Sequence, residues 1–250
     1  MATELHLELA TPVARATFRT SDGLNVLSST VIDRIAAVVE EVRAAKGVRV
    51  FVLAAEGKVF VAGANIKELS QLDSAAARDL SDRGSRAFDA LADLPIPTIA
   101  RLHGAALGGG LEVALACDFR LAVRSAKVGL PETSLGLVPG WRGISRLTSL
   151  IGPSAAKRLM FTTAAIAAEE ALKLGFVDDV AADAAELDQK VIALANELQR
   201  GGPDAVARIK QVLAGGDEIA AFGACFGAAE AREGMSAFIE KRPANWTKGP

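Results

Sequence analysis

The stretch "HGAALGGGLEVALACDFR", residues 103–120, sets three consecutive glycines directly before an apolar, alanine-rich segment. One carboxylate, Glu112, stands just inside that segment, among Leu111, Val113, Ala114, Leu115 and Ala116. Apolar residues surround it nearly all round, so the pattern predicts a buried helix opened by the glycines. Two explanations fit such glycines. Backbone N–H groups at a helix start can converge on an anion or a polarised oxygen, helped by the helix dipole. Glycine also fits wherever a helix and a strand pack too closely for a side chain. The carboxylate narrows the choice, because a buried charge is costly unless it is paired or used. Burial raises its pKa and a helix N-terminus lowers it, so its protonation state stays open at this point. The stretch is not a dinucleotide fingerprint, since "GAALGGGLEV" lacks the G-x-G-x-x-G spacing with its downstream acid.

Moving outward, a second carboxylate, Glu132, follows Pro131 in "KVGLPETSLGLVPG". Proline followed by an acid is also an ordinary helix start. Upstream, "GKVFVAGANIKELSQL" holds the small residues Ala62, Gly63 and Ala64, then Asn65 as N-cap of a helix beginning at Ile66. That leaves another backbone N–H exposed near Ala64. Two such corners facing each other would make an oxyanion hole.

The flanking segments alternate strand and helix. "LHLELA" and "VARATFR" read as two strands joined at Thr11–Pro12, and "VRVFVLAA" as a buried strand. Val31, Ile35, Val38, Val39 and Val42 recur at helical spacing, and a second helix runs from about Ser74 to Leu91. "PIPTIARLHG", "DFRLAVRS" and "KVGL" supply further strands, giving α/β architecture to roughly residue 180. Beyond it the chain reads as helix over Ala184–Arg200, Pro203–Leu213, Asp217–Arg232 and Met235–Lys241.

Composition bounds the rest. Of 250 residues, 50% are hydrophobic and 23% charged, which supports a large core and argues against disorder. A net charge of −2 gives no basic face for nucleic acid. Cys117 and Cys225 are too far apart for a metal cluster or a disulfide framework, and suit a reducing compartment. No signal-peptide pattern or membrane-length apolar run is present, so the expectation is a soluble cytoplasmic protein without a metal. His6 and His103 have no nucleophile or metal-ligand partner nearby in sequence and read as structural.

Six segments in register, "GLNVLSS", "VFVAGANIKEL", "PIPTIARLHGAALGGGLEVALACDFRLA", "AKVGLPETSLGLVPG", "AAEEALKLGFVDDV" and "AFIEKRPANW", together resemble the crotonase, or enoyl-CoA hydratase/isomerase, superfamily. The resemblance runs nearly end to end. It implies an α/β spiral of ββα units over residues 1–183 and a C-terminal helical trimerisation region over 184–250, as a homotrimer or a dimer of trimers. It implies an oxyanion hole from the amides of Ala64 and Gly109, with Gly109 letting a thioester approach and Gly108 and Gly110 permitting the turn. Glu112 would activate water and Glu132 would exchange the proton at C2. Ala62, Asn65, Ile66, Lys67, Gly140, Phe238 and Lys241 would contact substrate or coenzyme A. No cofactor would be bound permanently; coenzyme A would arrive as part of the acyl-CoA thioester substrate.

Both acids together favour reversible syn hydration of a trans-2-enoyl-CoA. An enoyl-CoA isomerase, another crotonase-type reaction, or a non-catalytic acyl-CoA binder remains the alternative. Three departures from the pattern stand out. Asn65 replaces an acidic residue but caps a helix equally well. "SDG", with Asp22, replaces a basic residue expected to meet a CoA phosphate. After Gly140, Trp141 and Arg142 stand where small residues are usual. Either both pack away from the site, or Trp141 reshapes the acyl pocket and Arg142 pairs with the acyl group or with Glu132.

Overall fold

The computed structural model describes residues 2–247, so Met1 and residues 248–250 at the ends of the two expected regions lie outside it. Strands β1 (Glu4–Glu8) and β2 (Val13–Arg19) pair antiparallel, Glu4 opposite Arg19, across a cis Thr11–Pro12 peptide. Helix α1 (Ser29–Ala44) follows, its first turn capped by Ser28, whose Oγ accepts from Val31 N at 3.3 Å. It buries all five residues of the expected stripe, together with Ile32. Strand β3 (Val50–Ala55) is buried at every position, as suits a continuous apolar run in a parallel sheet. The short α2 (Ile66–Leu69) and the long α3 (Ser74–Ala92) come next, the latter packed along α1.

Strand β4 (Thr98–Leu102) joins β3 in parallel. The glycine-rich stretch forms β5 (Ala106–Leu107) and then α4 (Gly109–Leu115), every residue of which is buried. After β6 (Phe119–Val123) and β7 (Lys127–Gly129), a single 3-10 turn covers Glu132–Leu135. Helix α5 (Gly143–Phe161) bends at Gly152–Pro153, where the backbone leaves helical geometry. Short β8 (Ile166–Ala167), α6 (Ala168–Leu174) and β9 (Asp179–Ala181) complete the body. One sheet runs β1-β2-β3-β4-β6-β9 and the other β5-β7-β8, so antiparallel and parallel pairs are mixed.

The C-terminal region is helical. Helix α7 (Ala184–Leu198) buries Leu187, Val191 and Ala195 against the large sheet. Helices α8 (Pro203–Leu213) and α9 (Glu218–Gly227) bury no residue, and α10 (Ala229–Ile239) buries only Ala237. The helix expected over Asp217–Arg232 in fact breaks at Ala228, whose φ of −89° and ψ of 151° are extended, so α10 absorbs the expected last helix. Arg120 is buried and donates to the Cys117 carbonyl at 2.6 Å and the Phe176 carbonyl at 2.8 Å. A guanidinium beyond the last carbonyls of α4 satisfies and charge-complements that helix end. The opposite end of α4, its glycine start, borders the cleft described next.

Candidate active site

The three glycines that open α4 have three separate causes. Gly108 takes φ 51° and ψ −128°, a backbone region that L side chains rarely adopt. Its carbonyl accepts from Leu111 N at 2.8 Å and Glu112 N at 3.0 Å, starting the helix. A β-carbon on Gly109 would stand 2.8 Å from Trp141 Cε3, and closer still to Cζ3. One on Gly110 would lie 2.8 Å from the Val61 carbonyl carbon and closer to its oxygen. The expected roles therefore need correction. Gly110 serves close packing rather than the turn, and an indole, not open space for a thioester, fills the side-chain position of Gly109.

Ala64 lies at the second corner. Leu27 N donates to Gly63 O, and Asn65 N to Leu27 O, both at 2.8 Å. In such a parallel bridge the bracketed residue, Ala64, turns its own N–H to the other side. Among the described residues neither the Ala64 nor the Gly109 amide donates a hydrogen bond. Gly63 and Gly108 bring the corners together, since a β-carbon on Gly108 would lie 3.8 Å from Gly63 Cα. Buried Asn25 pegs the loop that leads there, with Nδ2 donating to the carbonyls of Glu56 at 2.8 Å and Phe60 at 3.2 Å.

Both corners line one cleft of about 410 Å3. Ala62, Ile66, Leu80, Glu112, Glu132, Gly140 and Trp141 share its wall. Glu112 is 1% exposed, and its Oε1 accepts from the backbone N of Trp141 at 2.7 Å and of Gly143 at 2.8 Å. Among the described residues its Oε2 accepts nothing. Burial is the main force on this carboxyl and pushes it up to about 7, against the pull of the two amides; the nearby Glu132 raises it further and Arg146 lowers it. Burial also raises Glu132, whose Oε2 is enclosed and without a hydrogen-bond partner among the described residues. A β-carbon on Gly108 would be 3.1 Å from Glu132 Oε1, so this acid reaches over the start of α4. The arrangement joins two unpaired amides to two carboxyls that burial makes weaker acids than usual, Glu112 the more strongly.

The remaining expected residues divide. Asn65 caps α2 through Glu68 N at 3.4 Å and does not line the cleft. Lys67 is exposed beside the cleft-lining Ile66. Phe238, 85% exposed, and Lys241 lie at the end of α10, outside the cleft formed by this chain. Trp141 is buried and also lines the cleft. Arg142 does not reach Glu132: it takes φ 72° and pairs through Nε with Asp89 Oδ2 at 3.4 Å. Asp89 also binds Arg146 Nη2 at 2.6 Å, and Arg146 Nη1 donates to the Trp141 carbonyl at 3.3 Å. Asp89 and Arg146 were not singled out from sequence. Charged residues on helices carry no mark of the peptide they hold.

A sequence model described as enoyl-CoA hydratase/isomerase matches residues 8–249. The chain belongs to the enoyl-CoA hydratase/isomerase family. It is 37% identical to a short-chain-enoyl-CoA hydratase of Clostridium acetobutylicum, over 94% of both chains. It is likewise 37% identical to a crotonyl-CoA hydratase of Syntrophomonas wolfei, over 89% of this chain and 90% of that one. The crystal structure of an enoyl-CoA hydratase from Bacillus anthracis superposes with a TM-score of 0.89 at 32% identity, over 96% of this chain and 97% of that one. The chain is thus an enzyme of crotonase-type acyl-CoA chemistry, with the α/β body and C-terminal helices of its structural relatives. Among the described residues no three His, Cys, Asp or Glu side chains group as metal ligands, and no helix is long and apolar enough to cross a membrane.

Proposed function

We propose that this enzyme catalyses the reversible syn hydration of a trans-2-enoyl-CoA to a 3-hydroxyacyl-CoA. The observation that carries the reading is one cleft lined by buried Glu112, half-buried Glu132 and two residues whose amides have no partner among the described residues, with both carboxyls pushed up by burial. The thioester oxygen accepts from the N–H groups of Ala64 and Gly109. Ionised Glu112 takes a proton from water as the water oxygen bonds to C3, and charge moves through C2 onto the thioester oxygen. Protonated Glu132 then delivers its proton to C2, and the negative charge stays in the carboxyl pair until proton exchange resets it. Each preorganised amide facing the developing oxyanion is worth about 3 kcal/mol in such a site. An isomerase would need only one acid and a binder neither, whereas here Glu112 and Glu132 share the wall of a single cleft. Loss of the enoyl absorbance band on mixing enzyme with crotonyl-CoA and water tests the reading; an unchanged band would overturn it.

The two carboxyls titrate as a pair. The reaction needs Glu112 ionised and Glu132 protonated, so kcat/KM with crotonyl-CoA is expected to be bell-shaped in pH, with one limb near 7, where Glu112 titrates. A profile of kcat/KM that stays flat across neutrality would count against this. Arg146 lowers the pKa of Glu112, so Arg146→Met is expected to move that limb to higher pH. A limb that does not move would disconnect Arg146 from Glu112.

The exposed apolar residues Ile219, Phe222 and Phe226 on α9, with Phe238 and Ile239 on α10, support a homotrimer or dimer of trimers. Sedimentation showing a monomer would remove that part of the reading. Lys67 beside the cleft, and Phe238 and Lys241 from a neighbouring subunit, are the proposed contacts for coenzyme A.

A further inference from the structure

The cleft has a closed end and an open side. Leu80, Gly109, Glu112 and Trp141 are buried at the closed end, whereas Ile66, Leu135, Leu137 and Val138 remain between 45% and 68% exposed. Coenzyme A is far too large for a volume of about 410 Å3 and must leave by the open side. Whatever acyl chain extends beyond C3 is therefore directed to the closed end.

The Trp141 indole stands there and is fixed along both edges. One edge fills the notch left by Gly84 on α3, where a β-carbon would be 2.9 Å from Cγ and closer to Cδ1 and Nε1. The other fills the notch at Gly109, where a β-carbon would be 2.8 Å from Cε3. Nε1 donates to the Leu80 carbonyl at 3.3 Å, and Phe88 packs edge-on with ring centroids 5.7 Å apart. An interior packed this closely does not let a large ring swing aside for a ligand.

We propose that Trp141 sets the substrate range, closing the acyl pocket so that the enzyme takes short-chain enoyl thioesters and rejects long ones. The inference rests on the proposed function for the position of the thioester, at the Ala64 and Gly109 amides. Gly84 belongs to the same device, because the indole reaches its position only by occupying the space of a missing side chain on α3. Trp141 thus has two separable parts: its backbone N–H holds Glu112, and its ring bounds the acyl group.

The test compares crotonyl-CoA with trans-2-decenoyl-CoA as substrates, and butanoyl-CoA with decanoyl-CoA as non-reacting ligands in calorimetry. For the wild type, kcat/KM for the long substrate is expected to fall about a hundredfold below that for the short one. Trp141→Ala is expected to narrow that ratio by about tenfold or more, with a matching relative gain in decanoyl-CoA binding. Trp141→Leu, a smaller loss of volume, serves if the alanine variant does not fold. Equal wild-type use of both chain lengths, or a ratio that neither variant moves, would overturn the proposal. Should the wild type bind both saturated thioesters but hydrate neither enoyl substrate, hydration falls while the binding ratio still decides the role of the indole.

Discussion

Glu112→Gln is expected to lower crotonyl-CoA hydration by about a hundredfold to ten-thousandfold, the usual contribution of a positioned general base. The fold should survive. Glutamine can present the same Oε1 to Trp141 N and Gly143 N, the two donors that hold the glutamate. What it cannot do is take a proton from water. The same substitution carries a second, independent signature in stability. A carboxyl raised to about 7 in the folded protein, from an ordinary value of 4.5, favours folding only while it stays protonated. The wild type therefore loses stability as pH rises through that window, by on the order of 3 kcal/mol once Glu112 is ionised. Glutamine has nothing to ionise. The melting temperatures of variant and wild type should nearly coincide at the acid end of the window and separate above it, with the variant higher by roughly 10 °C. Unchanged turnover would remove Glu112 from the chemistry. A melting difference independent of pH would mean that Glu112 is not the group titrating near neutrality.

That double signature depends on contacts of a kind that sequence leaves faint. Glu112 was legible as a buried acid because residues 111 and 113–116 are all apolar. Its partners were not, because they are backbone amides of residues 29 and 31 positions away, and an amide carries no side-chain mark. The α1 stripe and the Asn65 cap were legible for the opposite reason: each is settled within a few residues by local spacing or capping chemistry. Helix α5 was not anticipated, since Gly143, Gly152 and Pro153 interrupt the pattern that would announce it. The break at Ala228 has only a weak local sign, Gly227 just before it, which the interior of a helix also tolerates. Arg142 could be suspected of facing Glu132 until the structure gave it Asp89, a residue with no periodic or motif signal. Family resemblance supplied the positions of the acids and of the amides. The indole that separates this cleft from a more open one became legible only when Gly84, Gly109 and Trp141, far apart in the chain, met in space.

Gly109→Ala is expected to cost both stability and activity, and to be partly repaired by shrinking Trp141. Gly109 does not have positive φ, so an added methyl meets no backbone strain of the Gly108 kind. Its cost is a collision with the six-membered ring of Trp141, which cannot retreat because its other edge already fills the notch at Gly84. Overpacking of this kind costs about 1–3 kcal/mol, and more where neighbours cannot shift. Whatever movement does occur displaces either the indole or the start of α4, and the latter carries the Gly109 amide and Glu112. Trp141→Ala alone should cost about 3–5 kcal/mol by emptying the ring's volume. In the double variant the methyl enters space that the ring has left, so the two losses should fall short of additivity by about 1–3 kcal/mol. Gly110→Ala supplies the contrast. Its methyl would strike the Val61 carbonyl, a backbone group bridged to the strand at Ala106, and no side-chain truncation can relieve it. Chemical denaturation of the single and double variants, with crotonyl-CoA turnover beside it, measures both relations. Additive losses for Gly109→Ala and Trp141→Ala would mean that the indole does not fix the geometry of the α4 start. Rescue of Gly110→Ala by Trp141→Ala would mean that the triplet has one cause rather than three.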